Sequence, residues 1–311
     1  MKNFVKGLGI GLILAALYVG ALVFAPDGAW EWIIPLGPLS LIAAFLGFRL
    51  PEDNLKRWSK SHGVPITPDN RDVIVRHLTR GRRIRTAGAV LGAYGYLAVT
   101  VQVGRDEVSW GIWRSIFFGY LIGAGLAEMW ALRLRVQGPR AASLAPRSIH
   151  DYLPRPATYI MRFAVLGTVA LAVAWQWIPT GRERVGVPRP GVGWIAMWAG
   201  LSVVVTIFAE LVVRSIVRRP QPAVSEELLR VDDAIRSSSM HQLAGAALAL
   251  VLGILSARLA DLGYGHGGLV SGLQALGGLC GLASVVAWLH LGVDQAWVVR
   301  RSSPVQQEAA A

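Results

Sequence analysis

The chain is poor in cysteine, in lysine and in charge. Its one cysteine, Cys280, among 311 residues rules out an intrachain disulfide and any metal site built from several thiolates. Only 16% of residues are charged, against about a quarter in ordinary soluble domains. Lysine supplies 4 of the 31 basic residues and arginine the other 27. With abundant alanine, glycine and valine, that bias points to a GC-rich bacterial genome. No GxxxxGK[ST] phosphate loop occurs, so the chain does not power anything through an ATPase of that type. No polar stretch is long enough for a large soluble domain.

What is abundant is apolar sequence. Hydrophobic residues make up 53% of the chain and the mean hydropathy is +0.46. A helix needs about 20 apolar residues to cross roughly 30 Å of hydrocarbon. Eight segments fit, at approximately 4–25, 32–48, 86–103, 110–132, 162–179, 192–213, 239–258 and 267–290. The alternation of a membrane β-strand is absent, and a lone segment in lipid must satisfy its own backbone groups. The expected fold is all-α, a polytopic transmembrane helical bundle forming one membrane domain over 1–300. Residues 301–311 are expected to be a disordered cytoplasmic tail. The first segment resembles a signal peptide in its basic start, but its apolar run is long and Pro26 directly follows the only cleavage-like site. It is read as an uncleaved helix.

Charge fixes the expected orientation. The N-terminus, the loops 49–85, 133–162 and 214–238, and the tail carry 25 of the 31 basic residues. By the positive-inside rule these face the cytoplasm, so both termini lie inside. Trp30, Trp32, Trp110, Trp113, Trp175, Trp177, Trp194 and Trp198 fall at the opposite ends of the helices, as an aromatic belt should. The expected location is the bacterial inner membrane. The net charge of +12 is sorted by membrane side rather than gathered on one domain. That argues against nucleic acid as a partner and for anionic lipid head groups.

Two basic segments invite closer reading. In 69–85, Thr67 is placed to cap a helix, Pro68 to occupy its first position, and Asp69 and Asp72 to sit near its positive end. Ile74 and Leu78 share one face, and Arg76, Arg80 and Arg83 the other. This pattern describes either a helix lying on an anionic leaflet, with those arginines as lipid contacts, or a solvated basic loop. In 225–238, Ser225 is a candidate cap, and Asp232 with Arg236 has helical i,i+4 spacing. The adjacent Asp232 and Asp233 read as a solvated helix face in preference to a metal site.

Glycines recur four apart at Gly88 and Gly92, Gly119 and Gly123, and Gly277 and Gly281. Such pairs allow close helix approach in lipid. The stripe Gln274, Gly277, Gly281, Ser284 is expected to face Gln242, Gly245, Ala249 and Ser256 of the preceding span. A weak repeat is visible in Ala89–Gly92 against Ala164–Gly167, and in Ala127-Glu128 against Ala209-Glu210.

Ionisable residues within spans are functional candidates by default. Here they are Arg114, Glu128 and Glu210. Arg114 and Glu128 lie about 21 Å apart along one helix, on a stripe through Phe118, Leu121 and Gly125. Glu210 has Arg214 one turn away. Catalytic constellations fail on geometry. Ser271 and His290 lie about 28 Å apart on one helix, beyond proton transfer. Glu226-Glu227-Leu-Leu-Arg230 is one residue short of the EExxxR motif of membrane CAAX-type proteases. His241 and His290 are lone histidines. No cofactor or metal is implied and no enzyme class is indicated. The expected function is a transport-related permease subunit drawing energy from a separate ATPase or an ion gradient. The alternative is a non-catalytic scaffold that binds a membrane partner, and an intramembrane enzyme ranks third.

Overall fold

A computed structural model describes residues 50–102, 111–134, 140–141, 148–178, 190–219, 221–222, 226–262 and 268–293. The expected first two spans and the tail lie outside them, as does Ser225. The described residues form seven α-helices: α1 (Glu52–His62), α2 (Pro68–Gln102), α3 (Gly111–Leu134), α4 (Arg155–Ala174), α5 (Val192–Arg218), α6 (Glu226–Ala260) and α7 (Gly268–Ala287). A π-helical turn, Trp288–Val293, continues α7. The strands β1 (Arg140–Ala141) and β2 (Gln221–Pro222) are two residues each and pair antiparallel. The fold is all-α. Four of the helices, α4 to α7, are long and apolar enough to cross a membrane.

The chain divides into two compact units. Among described residues, the first comprises those up to Trp58 and Ile66–Arg133, and the second comprises Ser59–Pro65 and those from Leu134 onward.

Local chemistry sets the helix ends. Glu52 and Asp53 begin α1 and Lys60 and His62 end it, each charge complementing the helix dipole. Gly63, at φ 66°, stops it. The Val64 N–H reaches back to the Ser59 carbonyl at 3.2 Å, the Schellman closure that a left-handed glycine permits. At the start of α2, the Asn70 N–H donates to Thr67 Oγ1 and the Thr67 N–H donates to Asn70 Oδ1, at 3.3 and 3.0 Å. This is a reciprocal cap with asparagine in the place usually held by Glu or Gln. Glu52 of α1 and Arg71 of α2 form an exposed ion pair.

The helix so capped does not stop at 85. It runs unbroken for 35 residues, about 52 Å at 1.5 Å per residue. The basic segment and the third expected span belong to one continuous helix, so the segment is not a separate helix. Ile74 and Leu78 are buried within the protein. Arg76 is exposed, and Arg80 and Arg83 are half-buried. Burial, and then the neighbouring Arg85, lowers the Arg82 guanidinium from its usual value.

Within the first unit, glycine sets the packing of α2 on α3. A Cβ on Gly88 would strike the Gly119 carbonyl, and one on Gly92 would strike that of Ser115. A Cβ on Gly123 would come within 2.6 Å of the Ile84 carbonyl. All four glycines thus lie in one backbone-to-backbone contact. The Arg85 guanidinium lies 5.8 Å from the Tyr120 ring centre across the same interface, within cation–π range.

In the second unit α6 is the central helix. Of its apolar stretch 78% is buried, against 22–39% for α4, α5 and α7. Those three surround it and turn residues such as Phe163, Leu211 and Leu282 outward. Gly277 of α7 sits against Leu259 of α6, where an added Cβ would come within 2.9 Å, and Gly281 sits against Ser256. Ser284 Oγ donates to the Ala249 carbonyl at 2.6 Å. At one end Leu171, Trp175, Ile195, Leu259, Leu262 and Val270 form a core shared by all four helices.

Candidate functional site

Among the described residues of the second unit, three clusters of charged side chains stand out. The first is the polar end of α6. Arg236 is fully buried and Asp232 is 4% exposed. The Arg236 Nε and Nη2 groups hold Asp232 Oδ2 at 2.8 and 2.7 Å. Arg219 approaches Asp232 Oδ1 at 3.6 Å. Arg236 Nη1 donates to the Ile216 and Arg219 carbonyls at 3.2 and 2.6 Å, adding to the Arg219 N–H that already reaches the Ile216 carbonyl at the end of α5. Tyr152 Oη donates to Asp233 Oδ1 at 3.0 Å. Asp232 is therefore interior and not part of a solvated face, Asp233 is half-buried, and Arg230 is exposed. Asp232 spends its oxygens on guanidinium groups, and no group of metal-ligating side chains occurs among the described residues.

The second place is the other end of α6. Arg258 is 2% exposed and pairs with Asp261 at 2.6 Å. Its guanidinium lies 5.7 and 5.3 Å from the Trp194 and Trp198 ring centres. Those two rings meet edge to face. Trp175 is buried, with its Nε1–H donating to the Pro190 carbonyl at 3.0 Å. Trp177 is 69% exposed. Of the tryptophans read as an outer belt, Trp175 belongs to the core and Trp194 and Trp198 cover a buried arginine. Trp30, Trp32 and Trp110 lie outside the described residues, and so does the Trp113 side chain.

The third place is an open groove between the turn at 149–153, α4 and α5, with Ala244 of α6 at its floor. Its polar wall is His150, Thr158, Arg162 and Glu210; its apolar wall includes Leu153 and Val213. A capping box holds the turn: the Ser148 N–H donates to Asp151 Oδ2 at 2.8 Å and the His150 N–H donates to Ser148 Oγ at 3.3 Å. Arg162 Nε donates to Glu210 Oε1 at 2.9 Å, and its Nη2 lies at the same distance. Arg214 Nη2 reaches Oε2 at 3.3 Å. Glu210 is 23% exposed, whereas Arg162 and Arg214 are half-exposed. One carboxylate thus answers two guanidinium groups, and the cluster of three carries one net positive charge. The sequence indicated Arg214 as its neighbour. Arg162 was missed because it comes from another helix, 48 positions away.

Glu128 lies elsewhere, in the first unit. It is 4% exposed, on the inward stripe of α3 with Leu121 and Gly125. Arg114 falls in the first turn of α3, and its side chain lies outside the described residues. His241 is fully buried, and its Nδ1 donates to the Ser237 carbonyl of the preceding turn at 2.8 Å.

Comparison of the chain with protein-family models, with curated proteins and with solved structures gave no match.

Proposed function

We propose that the chain is an inner-membrane protein of about eight helices, both termini cytoplasmic, acting as a transport-related permease subunit without its own ATPase. The observation that carries this reading is the Glu210 pair. A carboxylate on an apolar helix is bridged to a guanidinium of the neighbouring helix, on the wall of an open groove. A bridge of this kind exchanges: a proton on Glu210, or an anion on Arg162, breaks it without unpacking the two helices. Intramembrane carboxylates are costly, and one within a span is a functional candidate by default. Energy would come from a partner ATPase or an ion gradient.

The test has two arms. The full chain is extracted from native membranes in mild detergent and its bound partners are identified. It is then reconstituted in vesicles containing a pH-sensitive dye, and a proton gradient is imposed. The reading expects either a co-purifying ATPase or a gradient that collapses only with the wild-type protein and not with Glu210→Gln. A second reading, a non-catalytic scaffold, is favoured by the two ends of α6, where buried arginines bind structural partners. Loss of a partner complex in deletion strains, with no change in flux, selects the scaffold.

A further inference from the structure

We infer that the Arg162–Glu210 groove is a binding site for an anionic phospholipid, which sets its phosphate against Arg162 and Arg214. The site uses the groove of the transport reading but stands without it, because binding is measured without flux.

Charge comes first. Arg162 and Glu210 line the groove with His150, and Arg214 joins them through the other oxygen of Glu210, so the cluster of two arginines and one glutamate carries one net positive charge. Arg162 uses Nε and Nη2 on Glu210 Oε1, yet a guanidinium carries five N–H donors. With its side chain 55% exposed, Arg162 keeps donors for an oxyanion, and its planar fork suits phosphate. Arg214 flanks the same carboxylate from the other side.

Apolar surface comes second. Leu153 and Val213 line the groove, and the two helices that form it turn Tyr159, itself a lining residue, with Phe163, Ile207 and Leu211 outward, each at least half exposed. α4 and α5 are both apolar enough to span a membrane, so these side chains meet acyl chains. A free phosphate would use only the polar wall. A phospholipid matches both, with its head group at the guanidinium groups and its tails along α4 and α5.

Glu210 acts as an internal counter-ion in this arrangement, which gives the proposal a signed test. Removing an arginine removes attraction. Removing the Glu210 charge removes a competitor for the same arginines. A merely structural ion pair predicts no rise in lipid binding from either change.

The experiment titrates the purified full chain, in a neutral detergent, with short-chain phosphatidylglycerol and counts bound lipid by native mass spectrometry. Phosphatidylcholine and inorganic phosphate serve as parallel probes. Arg162→Gln and Arg214→Gln are each expected to weaken phosphatidylglycerol binding by about fivefold, the effect of roughly one charge near a lipid surface. Glu210→Gln is expected to tighten it. If Arg162→Gln does not fold, Arg162→Lys, which keeps the charge and loses the fork, is read in its place and should give a smaller loss. Unchanged binding in Arg214→Gln together with no gain in Glu210→Gln overturns the proposal. So does equal binding of phosphatidylcholine, or displacement of the lipid by millimolar inorganic phosphate.

Discussion

Arg236 binds Asp232 one helical turn before it through two nitrogens, and with its third reaches the carbonyls that end α5. At i,i+4 spacing on a surface helix such a pair contributes about 0.2–0.5 kcal/mol. Here both groups are buried, so the pair joins α5 to α6, and removing one partner strands the other in a dry site.

Asp232→Asn should therefore be severe. It leaves Arg236 and Arg219 beside a neutral amide, and breaking a buried pair costs roughly 3–5 kcal/mol. Glu210→Gln, between two half-exposed arginines, should cost no more than about 1 kcal/mol. Thermal unfolding in detergent reads both. Equal losses would mean that burial does not distinguish the two sites.

The glycine contact predicts opposite signs at nearby positions. Gly119→Val drives a side chain into the Gly88 backbone, and overpacking of that kind costs about 1–3 kcal/mol. Gly95, on the same helix as Gly88, has nothing within 4 Å of an added Cβ. Gly95→Ala should stabilise by up to about 1 kcal/mol, the helix-propensity difference. Unfolding midpoints of the two variants are the check.

Topology is tested by labelling in a Cys280→Ser background. Asp106→Cys and Gly186→Cys should react with an impermeant thiol reagent added to intact cells. Ser61→Cys and Ser225→Cys should react only after permeabilisation. Labelling of Ser225→Cys from outside removes the eight-span arrangement with both termini inside.

Glu128 is the sharpest test of transport in the first unit. Glu128→Gln keeps the shape of a side chain that is 4% exposed, so the protein should still insert and fold. Flux in reconstituted vesicles should be lost, since a glutamine cannot carry the proton or balance a cation. Wild-type flux in this variant excludes Glu128 from coupling.

Much of the fold was legible because its causes are local. The cap at Thr67 and Pro68 needs only neighbouring residues, and the structure adds Asn70 as its reciprocal half. The glycine pairs stood out by spacing alone, although spacing did not name their partners. The repeat was a weaker guide. Gly92 lies against the backbone of α3, while Gly167, its counterpart, meets only the Leu255 side chain, no closer than 3.5 Å. Glu128 is buried, and Glu210 lines an open groove. Matching sequence did not bring matching surroundings.

The helical class, the long apolar stretches of α4 to α7 and the ends of several helices follow from the order of residues alone. Hydrophobic period and capping act within a turn or two, so they are written in adjacent residues. That α6 is the enclosed helix, that Asp232 and Arg258 are interior, and that Glu210 answers Arg162 emerged from the packed fold. Those outcomes depend on which helix faces which, and lipid gives every apolar helix a similar welcome. The choice of neighbour therefore rests on glycine contacts and ion pairs between residues far apart in the chain.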